Sequence, residues 1–332
     1  MLKHMLFGSV VKTAKPWVAT LGGDNNDIGR SVAVAPDGSV YVCGYTYSAG
    51  TGGIDLLLAK FSSSGTVQWQ KTLGSGNDTG QSVAVAPDGS VYVCGRTNSA
   101  GTGGIDLLLA KFSSSGTVQW QKTLGGSKWE YGESVAVAPD GSVYVCGRTN
   151  STSAGDYDLL LAKFSSSGTV QWRKTLGGSN TDYANSVAIA PDGSVYVCGY
   201  TNSTGAGDYD LLLAKFSSSG TVQWQKTLGG GSIDYGQSVA VAPDGSVYVC
   251  GRAILAGAGS WDLLLAKITD FLIEQDTVTF GNLTFQDASL TLKNVSFTST
   301  SSSLSVSNAG LTVTTPSLTV GTPSLTTNLY TL

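Results

Sequence analysis

Cysteine is the most reactive side chain here, and its placement is periodic. Cys43, Cys94, Cys146, Cys198 and Cys250 follow one another at intervals of 51 or 52 residues. A thiolate can attack a carbonyl or hold a soft metal. These thiols have no Cys-x-x-Cys partner, and His4 is the lone histidine, so no metal site is expected. Equivalent positions in successive repeats lie too far apart for a disulfide, which predicts five free, buried thiols suited to a reducing cytoplasm. General acid–base and nucleophilic catalysis need groups that move protons or attack. No Gly-x-Ser-x-Gly elbow or phosphate loop precedes a helix, and the Gly-x-Gly strings read as turns. The expectation is a protein with no catalytic residues and no cofactor.

Two carboxylate sets recur. Asp27, Asp78, Glu130, Asp182 and Asp234 stand just before the first strand of each repeat. They could ring a central mouth and hold a hard cation such as Ca²⁺ through oxygen, or accept backbone N–H bonds in their own turns. The turn role is the favoured one. Asp55, Asp106, Asp158, Asp210 and Asp262 open the third strand, five residues before Lys60, Lys111, Lys163, Lys215 and Lys267. That odd spacing puts Asp and Lys on opposite strand faces, so both are expected to make polar contacts with neighbouring repeats.

Binding residues are sought where the copies differ. The strands barely vary, whereas the loops do: YSAGTGGI, NSAGTGGI, NSTSAGDY, NSTGAGDY and ILAGAGSW between the second and third strands, and Lys128-Trp129-Glu130-Tyr131 between repeats. Trp, Tyr and Arg dominate binding hot spots. Arg96, Trp129, Tyr131, Arg148, Tyr183, Tyr235, Arg252 and Trp261 are therefore the contact candidates, set against ordinary loop drift. Aromatics beside small polar loops suit glycan stacking or protein contact.

The elements that position these residues come from a repeat of about 52 residues. Trp17, Trp69, Trp120, Trp172 and Trp224 mark it at spacings of 52, 51, 52 and 52. Period-two alternation predicts four strands per unit: in the second, A Ser82–Ala86, B Ser90–Arg96, C Asp106–Phe112 and D Thr117–Leu124. Pro87-Asp88-Gly89 supplies the A–B turn. The composition agrees, with 44 Gly, 41% apolar and 13% charged residues in 332. The fold class predicted is all-β: a five-bladed β-propeller over residues 17–268, with blades about 24–75, 76–126, 127–178, 179–230, and 231–268 plus 17–23. The fifth unit lacks a strand D, and Trp17–Leu21 reads as an orphan one. Pairing it beside Asp262–Ile268 would close the ring and remove two sheet edges.

The string GGSIDYGQSVAVAPDGSVYVCG resembles the bacterial β-propeller repeats termed SBBP: Leu-Gly-Gly, an acidic-aromatic-Gly step, an alternating strand, Asp-Gly, then Val-Tyr-Val-x-Gly. The resemblance covers roughly residues 17–268. It implies a propeller and no reaction, since that family carries no defined catalytic residues. Cys before Gly departs from the small or hydroxyl residue expected there.

Residues 1–16 read as an N-terminal arm rather than a signal peptide, because the apolar part is short and broken by Gly8-Ser9. Residues 269–275 read as a linker. From Asp276 the chain falls into sevens, with Leu283, Leu290, Phe297, Leu304, Leu311, Leu318, Leu325 and Leu332 in one phase. Apolar residues at positions one and three of the heptad, with Pro316 and Pro323, exclude a coiled coil. Short strands turning corners are expected: a trimeric β-prism stalk over 276–332, with a single-chain β-solenoid or a Ser/Thr linker as competitors. Gly281-Asn282-Leu283-Thr284-Phe285 also resembles the Gly-Asn-Leu-Thr-Val runs of phage fibre and virion proteins.

The net charge of −4 without a Lys/Arg cluster gives no footprint for nucleic acid. No apolar run reaches membrane-spanning length. The expected function is a non-enzymatic phage virion component (fibre, tail or capsid decoration), assembled in the host cytoplasm. Other virion proteins are the expected partners, along with a homotrimeric tail and a possible host glycan or receptor at the propeller. A bacterial surface adhesin is the alternative, and a propeller lyase or glycosidase a weaker one.

Overall fold

A computed structural model describes residues 16–151, 155–254, 260–269, 273–274, 276–280, 282–295, 298–301, 305–308 and 312–314. Short β1 (Thr20–Gly22) precedes four complete units. The first is β2 (Asp27–Val34), β3 (Val40–Thr46), β4 (Asp55–Phe61) and β5 (Val67–Gly74). The second is β6 (Asp78–Val85), β7 (Val91–Thr97), β8 (Asp106–Phe112) and β9 (Val118–Gly125). The third is β10 (Glu130–Val137), β11 (Val143–Thr149), β12 (Asp158–Phe164) and β13 (Val170–Gly177). The fourth is β14 (Asp182–Ile189), β15 (Val195–Thr201), β16 (Asp210–Phe216) and β17 (Val222–Gly229). The fifth has three strands among the described residues, β18 (Asp234–Val241), β19 (Val247–Ala253) and β20 (Asp262–Ile268). Each unit is one antiparallel meander, a blade.

The local chemistry explains the meander. In Ala86-Pro87-Asp88-Gly89-Ser90, proline pre-sets the turn, Asp88 Oδ1 accepts the Ser90 N–H at 2.8 Å, and Gly89 takes φ +81°. Strand A begins at Asp78, earlier than alternation predicts, because a bulge between Gly80 and Ser82 breaks the period. Strands B, C and D match expectation to within one residue.

Neighbouring blades bury their faces against each other. The face of the first blade carrying Tyr41, Cys43, Leu56, Leu58 and Leu73 meets Val83, Val91, Val93, Leu108, Ala110 and Phe112 of the second. The same layering recurs between the second and third blades, and again further along. A fully buried leucine contributes roughly 2 kcal/mol, so these layers dominate the stability. Polar ties also recur across the junctions. Ser31 Oγ accepts the Val83 N–H at 3.2 Å, and Ser82, Ser134 and Ser186 do the same for Val135, Val187 and Val239. The Trp69 indole donates to the Ser114 carbonyl at 3.1 Å, as Trp120 and Trp172 do to Ser166 and Ser218.

The tail departs from expectation. Its strands are β21 (Thr277–Phe280), β22 (Leu283–Asp287), β23 (Thr291–Asn294), β24 (Thr298–Ser301), β25 (Ser305–Asn308) and β26 (Thr312–Thr314). β21 and β22 form a hairpin, and β22 pairs antiparallel with β17. β23, β24 and β25 then pair with β13, β9 and β5, and β26 with β1. The tail is a strap that runs back across the outer strands of the fourth, third, second and first blades in turn and then reaches β1, one strand per heptad. The expected stalk is not what these strands build, because the open D edges offer an unbroken row of N–H and C=O groups nearer at hand. The later heptads, 315–332, lie outside the described residues, as does the arm apart from Pro16.

Ring closure is also corrected. The sheets do not close: Thr20–Gly22 pairs with Thr312–Thr314 rather than with Asp262–Ile268. The strap's last described strand holds β1, and the chain leaving β20 proceeds to the edge of the fourth blade. No helix among the described residues is long and apolar enough to cross a membrane.

Candidate functional site

Strand A pairs with strand B so that the second residue of A faces the second-last residue of B: Tyr131 with Arg148, Tyr183 with Tyr200, Tyr235 with Arg252. Directly opposed residues touch, and the last residue of the B–C loop (Tyr157, Tyr209 or Trp261) reaches the same level. Across blades three to five these positions join into one run of rings. Arg96 lies 5.4 Å above Tyr131, and Arg148 is held between Tyr131 at 4.2 Å and Tyr183 at 4.6 Å. Tyr157 meets Tyr183 at 5.5 Å, Tyr183 meets Tyr200 at 4.8 Å, and Tyr200 meets Tyr235 at 4.4 Å, all edge-on. Tyr209 fills the angle between Tyr200 and Tyr235. Trp261 then stacks on Tyr235 at 5.5 Å, with Arg252 4.3 Å over its ring. Edge-to-face ring pairs and arginine over aromatic faces are each favourable.

Seven of the eight sequence candidates thus meet: Arg96, Tyr131, Arg148, Tyr183, Tyr235, Arg252 and Trp261. Trp129 does not join the run. It stands exposed on the D–A turn beside Gly104 of the preceding blade, its backbone N–H donating to Asn150 Oδ1 at 3.0 Å. Sequence reasoning missed Tyr157, Tyr200, Tyr209 and Glu133. The signal for the tyrosines was positional: Ile54, Ile105, Tyr157, Tyr209 and Trp261 are one column, and Tyr45, Arg96, Arg148, Tyr200 and Arg252 another.

Glu133 anchors the arginine end, its Oε1 2.6 Å from Arg148 Nη1. Burial pushes the Glu133 carboxyl up, against the opposing pull of Arg148, Arg96 and Arg30. Burial likewise raises Tyr183, Tyr200 and Tyr235, and pushes Tyr157 up to about 12 with help from Tyr131 and Tyr183. The phenols therefore stay protonated at neutral pH and can donate hydrogen bonds. From Tyr131 to Trp261 the run passes from buried to exposed.

The first carboxylate set does what turn chemistry asks. Asp78 accepts N–H bonds from Ser75 and Gly76 and the Ser99 hydroxyl at 2.8 Å. Asp27, Glu130, Asp182 and Asp234 accept from Gly23, Gly126, Gly178 and Gly230. No group of three His, Cys, Asp or Glu among the described residues could hold a metal. Asp55, Asp106, Asp158 and Asp210 of the second set are buried. Burial pushes Asp55 up to about 6, Asp106 to about 7 and Asp210 to about 6. The neighbouring acids Asp78, Glu130 and Asp234 add to the effect. The lysines do reach the next blade, but through carbonyls: Lys60, Lys111 and Lys163 donate to Ser114, Ser166 and Ser218 at 3.3 Å. Cys43, Cys94, Cys146 and Cys198 are free and buried, with burial raising their thiols, whereas Cys250 is half-buried.

Two family models match within the blades. The SBBP beta-propeller repeat family matches residues 171–205, and the DUF5122 beta-propeller domain, of unknown function, matches residues 138–170 and 190–222. These matches support a β-propeller repeat. Regulatory protein FlaEY of Caulobacter vibrioides is 30% identical over 166 residues, 43% of this chain. The chain spans 17% of the length of that relative. Among solved structures, virginiamycin B lyase from Staphylococcus aureus is 11% identical with a TM-score of 0.48, covering 75% of this chain and 73% of its own. A Trichoderma reesei carbohydrate-active enzyme of family AA12 is 12% identical with a TM-score of 0.38, covering 76% and 81%.

Proposed function

We propose that this chain is a non-enzymatic scaffold that binds a glycan along the tyrosine–arginine run. The observation that carries the reading is the exposed end of that run, where Trp261, Arg252 and Tyr235 form a rigid aromatic shelf. Flat rings match the apolar faces of sugars, while phenol O–H groups and arginine N–H groups match their hydroxyls. The shelf is pre-assembled, so little side-chain entropy remains to be lost on binding. The strap supports the same reading, because a face meant for binding gains from a backing that holds successive blades in register.

A phage particle is the setting we propose, on the strength of the Leu-Thr-Val heptads. A bacterial binding module is the second reading, favoured by the Caulobacter relative. A panel of arrayed glycans, read by fluorescence and then by calorimetry, tests the binding. The wild-type chain is expected to retain at least one glycan, and Trp261→Ala and Tyr235→Ala to weaken it about tenfold or more with an unchanged circular dichroism spectrum. Absence of any glycan bound by the wild type, or equal binding by both variants, would overturn the reading.

A further inference from the structure

The blade–blade interface occurs four times within the chain, and its two halves are left uncovered at the ends of the array. Leu56, Leu107, Leu159 and Leu211 are buried in successive blades, but their counterpart in the fifth, Leu263, is 83% exposed. Leu58, Leu109, Leu161 and Leu213 are buried, and Leu265 is 67% exposed. At the other end Val83, Val135, Val187 and Val239 are buried, while Val32 is 62% exposed and the adjacent Val34 66%. Leu263, Leu265 and Val32 thus leave in water apolar surface that the internal copies of the same residues bury.

The strands are open in the same phase. β20 lacks a D strand among the described residues, and β1 is a D strand: its Thr-Leu-Gly matches Thr72-Leu73-Gly74, and Trp17 occupies the place of Trp69. Trp17 already lies on the first blade as Trp69 lies on the second. Its ring stacks on Phe61 at 6.1 Å and its indole donates to the Ser63 carbonyl at 3.1 Å. β1 pairs on one edge with β26 and has no described partner on the other.

We propose that a second copy of this chain covers these surfaces, head to tail, with the first blade of one copy continuing the array after the fifth blade of the other. The geometry repeats the internal junction at the positions that carry it. By the β4–β5 register, Leu56 with Leu73 and Leu57 with Thr72, Leu263 pairs with Leu21 and Leu264 with Thr20 of the second copy. Trp17 of the second copy then meets Tyr248, as Trp69 meets Tyr41 at 5.8 Å. Ser238 accepts the Val32 N–H, as Ser186 accepts that of Val239. The main chain of Trp261 bridges that of Asn26, as the main chain of Tyr209 bridges that of Ile233. Every contact the interface needs exists already inside the molecule, and the two surfaces differ from each other, so the contact is heterologous and propagates.

Light scattering of the full chain over a hundredfold range of concentration tests this. The expected result is a mass that grows from one chain to two or more. Leu263→Glu with Leu265→Glu should hold the chain at one copy with an unchanged circular dichroism spectrum. A mixture of two single variants, Leu263→Cys and Leu21→Cys, is expected to give a two-chain disulfide on oxidation, above any background from the native cysteines. A single-chain mass at all concentrations with no mixed disulfide would overturn the proposal. So would a Leu263→Cys/Leu21→Cys double variant that links only within its own chain, which would assign the same surfaces to closure of one array on itself.

Discussion

Arg148 Nη1 reaches Glu133 Oε1 at 2.6 Å while the same guanidinium lies between the rings of Tyr131 and Tyr183. One planar cation thus neutralises a mostly buried acid and stacks on two aromatic faces. Arg148→Ala leaves Glu133 with its nearest cation gone, and a loss of about 2–3 kcal/mol in urea unfolding is expected. Arg148→Lys should recover less than half of it, because an ammonium cannot stack and bridge together.

Two glycines with the same backbone angle should respond differently to a methyl group. Gly89 and Gly116 sit at φ +81° and +82°. A Cβ on Gly89 would meet nothing nearer than Ser114 at 3.9 Å, whereas one on Gly116 would lie 2.9 Å from the Trp69 ring. Gly89→Ala should cost about 1–2 kcal/mol, the backbone penalty alone. Gly116→Ala should cost more, since it also displaces Trp69 from the next blade. Thermal unfolding of the two variants side by side checks the ranking.

Acidification should stabilise the protein over part of its range. The folded-state values of Asp55, Asp106 and Asp210, about 6, 7 and 6, stand above the roughly 3.9 of an unfolded aspartate. Between about pH 4 and 7 the folded chain therefore binds more protons than the unfolded one, and stability falls as pH rises. Urea midpoints at pH 5 should exceed those at pH 8. Asp106→Asn should flatten this slope and add on the order of 1 kcal/mol at pH 8. A midpoint that rises steadily from pH 5 to 8 would contradict the assignment.

Phe285 is the strap's deepest described side chain, buried with Leu228 and Leu283. Phe285→Ala should cost about 3–5 kcal/mol. Hydrogen exchange should then report loss of protection at β22 and at the outer edge of β17 before the inner strands change.

The blades were legible because the sequence repeats a complete local instruction: alternation, Pro-Asp-Gly, and a tryptophan that marks phase. The start of strand A was not, since the bulge at Gly80–Ser82 removes the alternation that would announce it. The strap was misjudged for a related reason. A four-residue strand such as Thr291–Asn294 states that it will pair, not which edge will take it, and the choice falls to a D strand more than a hundred residues away. At the site, arginines and aromatics in variable loops were visible as candidates. Their union was not, because Tyr200 touches Tyr235 only through the docking of two blades. Spacing points Asp55 toward a neighbouring repeat but does not announce its burial beside Asp78, which depends on how one blade's loop meets the next blade's first strand.

Two tandem repeats run through this molecule in opposite directions, one advancing about fifty residues per step and the other seven. They behave as a vernier. Because the middle blades offer nearly the same D strand, the later heptads would find equivalent partners if the strap slid by one blade. The indexing mark is local: the hairpin β21–β22, the buried ring of Phe285 and the Lys226–Asp287 ion pair at 2.6 Å. Insertion or loss of a blade would thus have to be matched by a heptad, or the overhang would move to the far end, where β26 meets β1.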